Sequence, residues 1–239
     1  MNQFVNLESV SQPEAVAALQ AACVSLHTAS QVTGLEDALA LGRLPEAFVK
    51  SIDGFWTFYE QYLEFVQSKE KFSCRAGCSA CCFDNPRGNT GVEILWLYSH
   101  LRNRADYFSF IQKVIAKASK FEKMFKENGS DFAKAQAQWK LQRNPCPFLN
   151  NENRCSVYSH RPIACRMFVA LTPANWCDPS NENYAQAVNP HLEPPFVIRK
   201  ILLQISKRLG LDQLPTDLLR ALALLSGHVL RHSPYVLER

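Results

Sequence analysis

The sequence predicts a mainly α-helical fold, with helices surrounding an irregular, cysteine-rich core. Three observations carry this. Apolar residues recur at helical spacing over much of the chain. No alternation of strand-like and helix-like segments is visible that would build a sheet. Eight of the 13 prolines fall within residues 145–195, among frequent Asn, Ser and Asp, and proline removes N–H donors and interrupts helices.

The elements follow in order. Ser11-Gln12-Pro13-Glu14 reads as a capping box opening a first helix, with Val16, Leu19, Cys23 and Leu26 on one face and Gly34 able to end it. Pro45 opens a second helix whose apolar face is Phe48, Ile52, Phe55, Tyr59, Leu63 and Val66. A third helix is expected over 92–103, with Glu93 in its first turn favouring the helix dipole. A fourth runs over 106–128, capped by Asp106 and stopped near Gly129, and a fifth starts at Ser130 or Asp131. Residues 196–209 form an amphipathic helix ended by Gly210, and Thr216 caps a last one reaching about Ser226, with Gly227 behind it. The whole chain, 1–239, is read as one domain. Its core, 72–178, is flanked by N-terminal helices (about 11–70) and C-terminal helices (about 196–226).

A chain of 239 residues with 47% apolar and 20% charged residues is an ordinary globular composition with room for a real core. No apolar run reaches the roughly 18–20 residues of a membrane span, so no membrane partner is expected. Met1 to Val10 shows no basic region followed by an apolar stretch. The expectation is a cytoplasmic protein with reduced thiols. The net charge of +4 is concentrated in 101–143, which holds ten Lys/Arg against four Asp/Glu. Lys113, Lys117, Lys120, Lys123 and Lys126 recur at helical spacing opposite Phe110, Ile111, Val114, Ile115 and Phe121. This reads as a solvated helix face rather than a nucleic-acid interface. The partner left open is a protein or a small molecule.

Nine cysteines are unusual in such a chain. Cys23 stands alone on an apolar helix face and reads as a small core hydrophobe. The other eight fall into two groups, Cys74, Cys78, Cys81 and Cys82, then Cys146, Cys155, Cys165 and Cys177. If 74–82 is helical, the first four thiols lie within about a 100° arc. If Gly77 breaks the turn, Cys78-x-x-Cys81 forms a knuckle whose thiolates point at one ion. Clustered thiolates are soft ligands that select zinc, copper(I) or iron–sulfur clusters. Metal bonds would tie down a proline-rich segment too irregular to hold itself. Arg75, Arg161 and Arg166 flank the cysteines and are candidates to offset the negative charge of a thiolate site. His160 lies within the cysteine region and reads as a surface histidine before a ligand or an acid–base group.

Cys74-x3-Cys78-x2-Cys81-Cys82, then Cys146-Pro-Phe-Leu, then Cys155-Ser-Val-Tyr158-Ser-His-Arg161-Pro162-Ile-Ala-Cys165-Arg166 resembles the YkgJ-like cysteine-cluster proteins over roughly residues 72–178. The resemblance implies a zinc- or iron-chelating domain with eight cysteine ligands: Cys74, Cys78, Cys81, Cys82, Cys146, Cys155, Cys165 and Cys177. The same cysteine pattern is similar to that of the larger flagellin lysine N-methylases.

Three functions follow as expectations. The first is a protein carrying an iron–sulfur cluster, for instance 4Fe-4S, with a redox or group-transfer role. The adjacent Cys81-Cys82, unusual for a zinc knuckle, favours it. The second is a structural Zn²⁺ protein acting as a partner-binding module. The third is a methylase-like enzyme using S-adenosylmethionine, although the chain has only nine glycines and no G-x-G-x-x-G loop. No catalytic residue is assigned. Cys74-x3-Cys78-x2-Cys81 also matches the radical S-adenosylmethionine motif, but a long helical pattern precedes it and Ala80 stands where an aromatic is usual.

Overall fold

A computed structural model describes residues 4–6, 12–35, 37, 44–69, 72–74, 77–189 and 191–232. Among them are eight α-helices: α1 (Pro13–Gln31), α2 (Glu46–Lys69), α3 (Gly91–Leu101), α4 (Tyr107–Glu127), α5 (Phe132–Leu141), the single-turn α6 (Ile163–Arg166), α7 (Phe196–Arg208) and α8 (Leu218–His232). The mainly helical expectation holds. Two three-residue strands, β1 (Phe4–Asn6) and β2 (His191–Glu193), pair in parallel, which the sequence pattern does not announce.

Helix α1 packs along α2, and α7 lies against both α1 and α3. Helix α8 lies against α3 and α4, and α5 packs on α4. The face of α1 differs from expectation. Its buried residues are Ala15, Ala18, Ala22, Leu26 and Ala29, while Val16 is exposed. Small alanines let α2, with its bulky Phe48, Phe55, Trp56, Tyr59 and Tyr62, approach closely. Gln12, without a side-chain cap bond, precedes α1, and the expected cap Ser11 lies outside the described residues. The helix ends at Gln31, and Gly34 then takes a left-handed φ of 67°. Arg208 at the end of α7 donates to the carbonyl oxygens of Ser30 and Val32, satisfying groups at the α1 terminus.

Asp106 precedes α4 but makes no cap bond. Its carboxylate pairs instead with Arg104 at 2.8 Å. Asp131 does cap α5, accepting from the Lys134 N–H at 3.1 Å. Helix α8 opens after Asp217, not Thr216. The Asp217 carboxylate is fully buried and accepts from the Arg220 N–H and from Asn85 Nδ2. The Thr216 carbonyl instead accepts from the N–H groups of Gly88 and Asn89, both at 3.0 Å. The helix also passes through Gly227 to His232 rather than stopping near Ser226. Segment 85–90, which follows the first cysteine group, is thereby locked to the start of α8.

Candidate metal centre

The local structure of the first cysteine group settles one alternative. Residues 74–82 are not one helix. Gly77 sits in a left-handed turn with φ of 86°, and a 3₁₀ turn follows over Ala80–Phe83, carrying Cys81 and Cys82. The Ser73 N–H donates to the Ala170 carbonyl at 2.8 Å, bringing the stretch before Cys74 against the proline-rich segment.

The second group is irregular, as its prolines demand. Cys146 opens a turn in which Leu149 N–H donates to its carbonyl, and a bridge between Leu149 and Cys155 folds the stretch back on itself. Cys165 lies on α6, and Cys177 ends a 3₁₀ turn over Ala174–Cys177. The two groups meet. The Cys146 N–H donates to the Cys82 carbonyl at 2.6 Å, and the turn at Ala80–Phe83 packs on that at Ala174–Cys177. The Cys177 thiol donates to Asn189 Oδ1 at 3.1 Å.

All nine cysteines are free thiols. Burial pushes Cys74, Cys146, Cys155 and Cys165 upward, and Cys177 up to about 11. Cys81 is raised first by its hydrogen bond with Cys82 and then by burial. Three cations oppose this. Arg161 acts on Cys74, Cys81, Cys155 and Cys165. Lys117 acts on Cys146 and Lys140 on Cys177. Among the described residues, no three His, Cys, Asp or Glu side chains stand arranged to hold a single ion. The chemistry of the donor set nonetheless fits a soft metal: thiols brought together from two segments, with cations beside them.

Arg161 lies close enough to these thiols for its charge to favour their ionised forms. Its guanidinium covers the Tyr158 ring at 3.6 Å and donates to the Tyr158 carbonyl. Arg166 is directed elsewhere. It lies over the Trp56 ring at 4.5 Å, pairs with Glu60 on α2, and donates to the carbonyls of Ser159 and Arg161. Burial lowers its pKa to about 10. It holds the Ser159–Arg161 loop rather than facing a thiol. Arg75 lies outside the described residues. His160 is half-buried rather than a free surface group, its ring 3.8 Å from that of His100 and 5.1 Å from Trp96. Burial, then His100, lowers its pKa.

Two site cations escape sequence reasoning. Lys117 Nζ donates to the Pro145 carbonyl at 2.6 Å, beside Cys146. Lys140 is buried, 3.6 Å from Asp84 and facing the Tyr184 ring. Both belong to lysine-bearing helices whose spacing alone suggests solvated faces.

Residues 73–188 match the CxxCxxCC family, described as a "Putative zinc- or iron-chelating domain". Residues 73–188 are therefore similar to the CxxCxxCC domain. The match fits the resemblance to the YkgJ-like cysteine-cluster proteins. The matched region runs ten residues past the expected end at 178, reaching the neighbourhood of Asn189. No curated protein and no solved structure matches the chain. Among the described residues no helix is long and apolar enough to cross a membrane.

Proposed function

We propose that the CxxCxxCC domain holds iron–sulfur chemistry through Cys74, Cys78, Cys81, Cys82, Cys146, Cys155, Cys165 and Cys177, in a redox or group-transfer role. The observation that carries this is the joining of the two cysteine groups at Cys82 and Cys146, with Arg161, Lys117 and Lys140 beside the thiols. The adjacent Cys81-Cys82 pair, unusual for a zinc knuckle, supports iron–sulfur over zinc. When bound, such a cluster supplies one-electron chemistry, with a potential set by nearby charge and hydrogen bonds. The chain's own part is to position the thiols and to offset their charge.

The test is anaerobic isolation of the full chain with iron, labile sulfide and zinc analysis. A coloured protein with iron and sulfide in equal amounts is expected. A colourless protein holding zinc without sulfide overturns the proposal and supports the second reading, a structural zinc module that binds a partner. One observation favours that second reading. Helix α7 exposes Phe196, Val197 and Leu203 beside Arg199, Lys200 and Lys207, a surface suited to an apolar, acidic protein segment.

A further inference from the structure

Helix α7 buries one face and leaves the opposite one outside. Ile198, Leu202, Ile205 and Ser206 are buried, where the helix packs on α1 and α3. Phe196 is 70% exposed and Leu203 47%, and Lys200 and Lys207 are exposed beside them. At 100° per residue these four fall at about 0°, −20°, 40° and 20° around the axis. Apolar and cationic side chains therefore alternate along one line about 16 Å long. With Arg199 and Gln204 they line one hollow.

The charge on this line is unbalanced. Helix α7 carries Arg199, Lys200, Lys207 and Arg208 and no carboxylate. Arg208 is engaged by the carbonyls at the α1 terminus, and Arg199 acts on the buried Glu93. Lys200 has Phe196, Val197, Leu203 and Gln204 three and four residues away, and Lys207 has Leu203, Gln204, Gly210 and Leu211. None of these can form the helical ion pair. The lysines of α4 differ, for Lys123 and Lys126 each pair with a glutamate one turn away.

The pattern discriminates among occupants. A helix lying on a bilayer keeps its cations on the face opposite its apolar residues, whereas here lipid covering Phe196 and Leu203 would also cover two ammonium groups. A second copy of the same stripe would set lysines against lysines across a two-fold axis. A helix that alternates apolar and acidic residues satisfies both features.

We infer that the outer face of α7 is a docking site for an acidic amphipathic helix of another protein. Its apolar residues, seven positions apart, cover Phe196 and Leu203, and its carboxylates pair with Lys200 and Lys207. Docking on this face does not depend on which metal the cysteines hold.

The test uses the full chain and a fluorescein-labelled helical peptide of about 15 residues, with two leucines seven positions apart and a glutamate four positions after each. Anisotropy should show saturable binding that weakens as salt rises. Lys200→Glu/Lys207→Glu should weaken binding about tenfold or more, and Leu203→Ser should weaken it too, with circular dichroism unchanged in both. The charge-swapped chain should in turn bind the same peptide with lysine in place of glutamate, a gain that misfolding cannot produce. No binding of the glutamate peptide to wild type overturns the site, as does equal binding to the charge-swapped chain. Binding of phosphatidylserine vesicles but not of peptide assigns the face to a membrane and overturns it. A dimer that Lys200→Glu/Lys207→Glu dissociates assigns it to a second copy and also overturns it. Should the double variant fail to fold, a glutamine version of the peptide decides on wild type: weaker binding supports the site, and equal binding overturns it.

Discussion

The carboxylate of Glu93 on α3 accepts a hydrogen bond at 2.7 Å from the backbone N–H of Ile163, the first residue of α6. Its other oxygen accepts from the Thr90 N–H at 2.8 Å and the Thr90 hydroxyl at 2.7 Å, completing a capping box. One buried side chain therefore starts the helix after the first cysteine group and fixes the helix that carries Cys165.

Glu93→Gln should destabilise the chain by about 1–2 kcal/mol, because an amide N–H₂ meets donors where a carboxylate oxygen accepted. Burial raises the Glu93 pKa above the ordinary carboxylate value. Between those two values the folded chain holds a proton that the unfolded chain has released. Stability from this group is full below the unfolded value and is lost as pH rises through the folded one. Urea midpoints of chelated protein across the mildly acidic range should show that fall in wild type and a flatter profile in Glu93→Gln. Equal slopes refute the assignment.

Arg161→Gln removes the cation that lowers Cys74, Cys81, Cys155 and Cys165. Thiols must lose protons to bind metal. Competition with a chromophoric chelator should show about 10–100-fold weaker binding, with half-loading shifted to higher pH. Unchanged affinity across pH places Arg161 outside the centre.

Lys117→Met breaks the bond to Pro145 and removes the charge beside Cys146. A loss of about 1 kcal/mol is expected, together with faster metal release. Lys123, 77% exposed and paired with Glu127 in a surface bridge, is the control. Lys123→Met should leave both quantities unchanged.

Gly91 opens α3 directly against Leu211, where an added Cβ meets both the side chain and the backbone. Gly91→Ala should cost about 1–3 kcal/mol through overpacking, read as a lowered thermal midpoint. A neutral result means that the Leu211 backbone yields.

Metal removal should free the proline-rich segment before the helices. Limited proteolysis of chelated protein is expected to cut first within 145–189, with far-ultraviolet circular dichroism largely preserved. Simultaneous loss of both signals contradicts that order.

Much of the helical frame was legible in the sequence because bulky residues mark a face. Phe48, Ile52, Phe55, Tyr59, Leu63 and Val66 are all buried on α2 as their spacing predicts. The face of α1 was less legible because alanine carries little hydropathic contrast, so Val16 drew attention that Ala15 and Ala18 merited. Helix α8 passes Gly227 because glycine costs a helix only about 1 kcal/mol, too little to stop it. At the cysteines, residue type and spacing announce soft-metal chemistry. Direction is not encoded locally. Arg161 and Arg166 flank Cys165 on either side, yet one stacks on Tyr158 and the other on Trp56. Lys140 reaches Asp84 through a contact between residues 56 positions apart, which helical spacing does not reveal.

The hydrogen bond between Cys82 and Cys146 spans a chain excursion made of α3, α4 and α5. Those helices bury their own apolar faces on each other and on α8. The two halves of the thiol set meet only once that excursion has folded and returned. Contact between the two thiol groups is thus a tertiary contact that depends on three helices, unlike the short local loops of a minimal zinc finger.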